Sequence, residues 1–141
     1  PIEVTNELFI ARWRKLVWNV PYNGLSVVLN ATTNELMADE TVSARIYTLM
    51  TEVITAANAW VDHLSKEAAS ARRIPMTWAT AMVEATKKMK PYRTSMKIDF
   101  DEGRPLEVEA ILGNPVRAAA KLTVAVPEME RLYSQVKELS N

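Results

Sequence analysis

The chain has 141 residues, of which 48% are apolar and 24% charged, with 17 basic and 17 acidic side chains. These values are typical of one globular domain with its own core. A net charge of zero argues against a general nucleic-acid binder or membrane-surface binder, and no apolar run is long enough to span a membrane. The absence of Cys excludes disulfides and thiolate metal sites. The N-terminus lacks a signal-peptide pattern, and we expect a cytoplasmic protein.

Helical spacing of apolar residues dominates the sequence. The first helix is predicted to begin after Thr5-Asn6 and to be kinked at Pro21, which lacks a backbone donor. Its apolar stripe comprises Phe9, Trp13, Leu16 and Val20. The segments 27–30 and 122–126 are the best strand candidates, but their strand signal is weak.

The rest of the chain also favours helices. The predicted segments are 35–37 after a Thr-Thr-Asn turn, 40–64 after an Asp39 cap, 75–89, a short helix after Thr94 or Ser95, 106–122 and 127–139. Residues 102–105, Glu-Gly-Arg-Pro, predict a turn before the 106–122 helix. The sequence therefore predicts an all-α domain of six or seven helices, with no internal repeat or linker.

Three polar residues share one face of the first helix in the stretch KLVWNVPYN. Lys15, Asn19 and Asn23 are four residues apart, and each step of four turns by about 40° beyond a full rotation. On spacing alone a solvated face is favoured. Two Asn residues inside a helix are mildly unfavourable, however, which points toward a pocket. In such a pocket Lys could act as a general acid or bind an anion.

Other polar groups have alternative explanations. Ser95 and Glu107 could contact a ligand, although the pattern alone favours helix caps and solvated charge. The basic run 86–97 is conceivable as a nucleic-acid patch, but lysines at a helix C-terminus are also favoured by the helix dipole. His63, the single histidine, has no second His or Cys partner and is a poor metal ligand, so we predict no metal site. Glu52 is interpreted as a residue at the boundary of the core.

Glycines are scarce, with Gly24, Gly103 and Gly113 the only three. A Rossmann fingerprint requires three glycines within six residues, and a Walker loop requires two followed by Lys and Ser or Thr. Neither pattern occurs in this sequence.

Two segments together resemble the C-terminal domain of the ketopantoate reductases (2-dehydropantoate 2-reductases). The first, residues 12–26, has the family pattern of Lys-Leu with Asn residues four and eight positions after the Lys, here Lys15, Asn19 and Asn23. The second, residues 94–122, resembles the family's Ser-Met, acidic stretch, Gly-Arg-Pro-like turn, Glu and Gly-containing helix.

The resemblance implies an all-α, multi-helical domain similar to the C-terminal domain of 6-phosphogluconate dehydrogenase. In the family, an N-terminal Rossmann domain binds NADPH, and hydride transfer to a small 2-keto acid gives pantoate in pantothenate biosynthesis. The position of Lys15 is the family's general acid. The implied substrate-binding residues are Asn19, Asn23, Ser95 and Glu107.

Residues 1–141 thus resemble the substrate-binding and catalytic half of an oxidoreductase, with no Rossmann half of their own. We expect the isolated chain to be inactive. Its expected partners are its own Rossmann domain and a 2-keto acid, with no nucleic acid and no membrane. A homodimer is a further expectation, because a helical domain separated from its Rossmann domain exposes apolar surface.

Several positions depart from the family pattern. Gly24 replaces the proline that usually follows the second Asn, and Thr33 stands where the family has an Asn. In the helix after Glu107, Ile111-Leu112-Gly113 replaces Ile-Asn-Gly, and an Asn follows at Asn114. The sequence therefore leaves two alternatives open: an NADPH reductase of another 2-keto acid, or a non-catalytic helical interaction module.

Overall fold

A computed structural model describes residues 2–64 and 72–140, with side chains from residue 7 onward. These residues form seven α-helices and one π-helical segment, and no strand occurs among them. The α-helices are α1 (Ile2–Val28), α2 (Thr33–Ala38), α3 (Glu40–Leu64), α4 (Thr77–Lys87), α5 (Ser95–Asp101), α6 (Asn114–Lys121) and α7 (Pro127–Ser140). The π-helical segment, Glu109–Gly113, runs directly into α6. The predicted all-α class is confirmed.

Helix α1 is the centre of the domain and packs against α3, α5, α7 and the π-helical segment. It continues through Pro21 to Val28. Every residue from Val20 to Val27 is buried. Gly24 permits the close approach of α7, since a Cβ at this position would lie 2.6 Å from a methyl carbon of Leu132.

Helix α3 is amphipathic, as its sequence pattern predicts. The oxygen Oδ1 of Asp39 accepts a hydrogen bond from the backbone N–H of Val42 at 3.1 Å and caps the first turn. The predicted apolar stripe is buried or partly buried: Val42, Ile46, Leu49, Met50, Val53, Ile54, Ala57 and Trp60. The bounds of α3 agree with the prediction.

Glu52 has a role that its sequence position did not reveal. Its carboxylate accepts hydrogen bonds from the backbone N–H groups of Glu128 at 3.1 Å and Met129 at 2.8 Å, the first turn of α7. Burial raises the pKa of the Glu52 carboxyl, and these two backbone donors oppose that rise. A side chain on α3 therefore supplies the N-terminal cap of α7.

One predicted helix start is wrong. Helix α1 begins at Ile2, so Thr5-Asn6 lies inside it, because no Gly or Pro between Ile2 and Asn6 stops the helix. The helix predicted from about residue 106 begins at Val108, two residues later, after residues 104–107, which belong to no helix or strand. Its first turn is π-helical, which a helical pattern of apolar residues does not reveal.

The two strand candidates are not strands. Residues 27 and 28 are the last residues of α1, and residues 29 and 30 form the turn after it, in which Asn30 has a positive φ of 52°. Residues 122–126 form the connection between α6 and α7, and Thr123 has φ 58°. Left-handed residues at these points end the preceding helices. The remaining helix predictions agree with the structure within about two residues.

Candidate functional site

A groove of about 380 Å³ separates the N-terminal half of α1 from the π-helical segment and α6. Its polar lining residues are Arg12, Lys15 and Asn19 of α1 and Asn114 of α6. Apolar side chains from both sides, Trp13 among them, form the remaining walls. An apolar groove with few polar groups is the usual form of a small-molecule site.

Lys15 is exposed and forms no hydrogen bond or ion pair within the described residues. The same holds for Arg12, whereas other cations are paired, such as Arg45 with Glu128 at 3.4 Å and Arg104 with Asp99 at 2.9 Å. No carboxylate lines the groove in the described part of the chain. Its cations are therefore available to a small anion.

Lys15 and Asn19 also border a second groove, on the α4 side of α1. Its volume is about 360 Å³, and its walls include Trp18 and Trp78. The guanidinium of Arg14 lies 5.5 Å from the Trp78 ring centroid, a cation–π distance. Lys15 and Asn19 thus form a ridge between two grooves.

Asn23, the third residue of the predicted polar face, is only 2% exposed. Its Oδ1 accepts a hydrogen bond from the backbone N–H of Met96 at 3.1 Å, and the Ser95 hydroxyl donates to the same oxygen at 3.4 Å. Asn23 therefore binds the start of α5 to α1. The predicted face passes from solvent at Lys15 to the core at Asn23.

Ser95 and Glu107 are both exposed. Ser95 contacts Asn23, as described above. Glu107 lies just before the helix that contains the π segment, and its carbonyl accepts from the backbone N–H of Ile111 at 3.2 Å. No hydrogen bond or ion pair joins Glu107 to Lys15 in the residues that the structure describes. The five predicted residues thus form two adjacent pairs, Lys15 with Asn19 and Asn23 with Ser95, and one separate carboxylate.

Sequence reasoning missed a polar network beside the groove. A guanidinium nitrogen of Arg117 donates to Glu109 at 2.8 Å, and the Tyr133 hydroxyl donates to the same carboxylate at 2.7 Å. These contacts lower the pKa of the Glu109 carboxyl, with the Tyr133 bond the larger cause. Gly113 lies beneath the ion pair, where a Cβ would collide with Glu109 and Arg117. The sequence does contain a signal for this ion pair, because Glu109, Gly113 and Arg117 are spaced four residues apart and therefore lie on one face of a helix.

The basic run is mostly neutralised by local pairing. Lys97 is 5% exposed and forms an ion pair with Asp101, which also accepts from Arg93 at 3.1 Å. The Lys97 bond, followed by that of Arg93, lowers the pKa of the Asp101 carboxyl. Lys87 lies 3.5 Å from Glu84. The run therefore presents mixed charge rather than a continuous basic surface.

The described residues give little support for a metal site or a membrane-spanning helix. No cluster of three or more His, Asp or Glu side chains there could hold a metal ion. His63 is exposed and lies edge-on to Trp60, with ring centroids 5.5 Å apart. None of the described helices is both long and apolar enough to cross a membrane.

The fold and the groove define an all-helical domain with a cationic, amide-bearing groove suited to a small organic anion. The sequence profile described as "Ketopantoate reductase PanE/ApbA C terminal" matches residues 8–140, and the chain belongs to this family. The family resemblance inferred from the sequence is confirmed.

The relatives agree with this assignment. The chain is 51% identical over 138 residues to a 2-dehydropantoate 2-reductase of Nostoc sp., covering 98% of this chain and 40% of the relative. Among solved structures, a 2-dehydropantoate 2-reductase from Geobacter metallireducens GS-15 superposes with a TM-score of 0.83 at 36% identity, covering 93% of this chain and 41% of that one. The corresponding protein from Methylococcus capsulatus gives 0.79 at 35% identity, covering 92% and 42%. The chain thus spans about two fifths of the length of these relatives.

Proposed function

We propose that the chain is the helical substrate-binding and catalytic domain of an NADPH-dependent 2-dehydropantoate 2-reductase, which reduces ketopantoate to pantoate in pantothenate biosynthesis. Membership of the family and the 51% identity to the Nostoc reductase support the reaction class. The observation that carries the proposal is an exposed Lys15, beside Asn19, at a groove with no carboxylate among its described lining residues.

The described residues do not fit a complete dinucleotide. They contain no strand, and the sequence has no glycine-rich phosphate loop. We therefore assign NADPH to a Rossmann domain of the complete protein, consistent with the two-fifths coverage of the relatives. When bound, NADPH supplies the hydride. The helical domain supplies substrate binding and the proton.

Lys15 is assigned as the general acid. Reduction of a ketone places negative charge on its oxygen, and an ammonium group within hydrogen-bond reach stabilises that charge and transfers a proton to it. Because no carboxylate pairs with Lys15 in the described residues, its charge is available to the substrate. Asn19 lines the same groove and can orient the keto acid without adding charge.

The remaining predicted residues receive more specific roles. Asn23 uses its amide oxygen to hold the first residues of α5, so we assign it to positioning Ser95 as well as to the substrate cleft. Ser95 and Glu107 are exposed and do not line the groove, and they remain proposed contacts for the substrate carboxylate and hydroxyl, respectively. A carboxylate accepts from a hydroxyl donor, which suits Glu107 to the hydroxyl end.

The test is NADPH oxidation by the complete reading frame, with ketopantoate and a panel of other 2-keto acids. Lys15→Ala is expected to lower kcat by about 10²- to 10⁴-fold, the usual contribution of a positioned acid. Lys90→Ala is the matched control, because Lys90 is also exposed and lines neither groove. It should leave kcat unchanged.

Two results would contradict the proposal. Unchanged turnover in Lys15→Ala would remove the lysine from the mechanism. Failure of the wild-type protein to reduce any 2-keto acid would reject the reductase assignment. If the enzyme preferred another 2-keto acid, the proposed reaction type and the role of Lys15 would stand, but ketopantoate would no longer be the proposed substrate.

A further inference from the structure

Asn114 lies on the groove wall formed by α6, across from the wall formed by α1. Its Oδ1 accepts a hydrogen bond from a guanidinium nitrogen of Arg117 at 2.6 Å. A guanidinium can only donate, so this contact fixes which end of the amide faces Arg117. The Nδ2 group of Asn114 has no acceptor among the described residues, and its two donors are available to a ligand.

The amide is held by a series of contacts. Arg117 also donates to Glu109 at 2.8 Å, and Tyr133 of α7 donates to that carboxylate. Glu109 begins the π-helical segment, in which the N–H of Asn114 bonds to the Glu109 carbonyl five residues earlier. Pi-helical turns are rare in proteins, and those that do occur are often found at functional sites. Here the turn places Asn114 at the groove, and Arg117 orients its side chain.

The groove offers donors without a competing carboxylate. Arg12 and Lys15 are cations, and the free Nδ2 of Asn114 adds a neutral donor on the opposite wall. Donors on both walls suit a ligand whose oxygens are acceptors, and the apolar residues between them suit a short carbon chain. A 2-keto acid has both properties.

We propose that Asn114 is a substrate-binding residue whose Nδ2 donates to a carboxylate oxygen of the 2-keto acid, and that Arg117 and Glu109 are positioning residues that orient it. The inference rests on the proposed reductase function and deepens it. It adds a contact on α6, outside the residues indicated by the family resemblance.

The first experiment compares Asn114→Ala and Asn114→Asp in the complete protein. Aspartate retains an oxygen that Arg117 can bind but loses the Nδ2 donors and adds a negative charge near the substrate carboxylate. We expect KM for ketopantoate to rise about tenfold to hundredfold in Asn114→Ala, the range for a hydrogen bond to a charged group. The rise should be larger in Asn114→Asp, and kcat should change less than threefold in Asn114→Ala.

A double-mutant cycle tests the positioning role of Arg117. Arg117→Ala should raise KM severalfold in the wild-type background and leave it unchanged in the Asn114→Ala background, because Arg117 acts through Asn114. Arg131→Ala is the matched control, since Arg131 is exposed like Arg117 and forms an ion pair with Glu128 at 3.7 Å, but it does not line the groove. It should leave KM unchanged in both backgrounds.

The outcomes separate the two proposals. An active wild-type enzyme whose Asn114→Ala and Asn114→Asp variants keep the wild-type KM would overturn the role of Asn114 and leave the reductase function intact. Additive effects of Asn114→Ala and Arg117→Ala would overturn the positioning role of Arg117. A wild-type protein that neither turns over nor binds 2-keto acids in isothermal titration would overturn the reductase function and the inference together.

Discussion

The two halves of α1 have opposite environments. From Val20 to Val27 the helix is covered on every side, whereas from Glu7 to Asn19 one side borders open grooves. One continuous helix is therefore both the centre of the core and the wall of the candidate site. Because the site is built on a helix whose other end is held by the core, Lys15 projects from a well-supported element.

The same comparison explains why regularly spaced polar residues differ in role. In the buried half, polar side chains have protein partners: Asn23 binds the start of α5, and the Ser26 hydroxyl lies 2.7 Å from that of Thr94. Buried polar groups require such partners. In the open half, Lys15 and Asn19 form no side-chain hydrogen bond with the described residues, and their polar groups can bind a ligand.

The largest expected difference concerns leucines in the two halves. Leu25 is fully buried, and Leu8 is 58% exposed. Leu25→Ala should lower the free energy of unfolding by about 2–5 kcal/mol because it leaves a cavity in the core. Leu8→Ala should change it by less than about 0.5 kcal/mol. Urea denaturation of both variants would measure the contrast, and equal losses would contradict the division of α1.

The next effect concerns two asparagines on one helix. Asn23→Ala leaves the buried N–H of Met96 without its acceptor, so we expect a loss of about 1–3 kcal/mol in unfolding free energy. Asn19→Ala is the matched control. It removes no described hydrogen bond, and alanine is the better helix former, so stability should stay equal or rise slightly. A loss in Asn19→Ala as large as that in Asn23→Ala would show that both amides are structural.

The smallest effect is a pH dependence beside the buried half of α1. Lys97 and Arg93 lower the pKa of Asp101 in the folded state. The stabilisation from Asp101 is therefore present above the unfolded pKa of about 3.9 and is lost as pH falls through the lower folded value. Between pH 5 and the acid limit, Asp101→Asn should flatten the decline of unfolding free energy. If the plots of unfolding free energy against pH were parallel for wild type and variant, the ion pairs of Asp101 would not contribute to the acid sensitivity of the fold.

Much of the fold could be predicted because apolar spacing reports which helix face is buried. Helices α3 and α7 and the Thr94 cap of α5 illustrate this, since each depends on local pattern and capping residues. The π-helical geometry at the start of the 106–122 helix could not be predicted. This turn is accompanied by the local ion pair of Glu109 and Arg117 over Gly113 and by a bond from Tyr133 of α7, and the second contact joins residues 24 positions apart in the sequence.

The candidate site was predicted only in part. The residue pattern indicated the helix face that contains Lys15 and Asn19. The family profile confirmed the family resemblance, which is a separate finding from the site residues. The sequence showed Asn114 only as a departure from the family pattern and did not indicate Arg12, and it did not place either residue beside Lys15, because that position depends on how α6 packs beside α1. The sequence also gave no sign that Asn23 is buried, since its partners, Ser95 and Met96, come from α5.

The sequence by itself determined the all-α class, most helix positions and the family, because these depend on local periodicity and on the order of residues in two motifs. Only the tertiary structure decided which polar residues remain free. Helices α5 and α7 pack against the buried half of α1, and residues 94–96 at the start of α5 bind the side chains of Asn23 and Ser26, while the other half faces open grooves. The physical reason is that a polar side chain takes its role from the partners that packing supplies or leaves out, and those partners come from other helices.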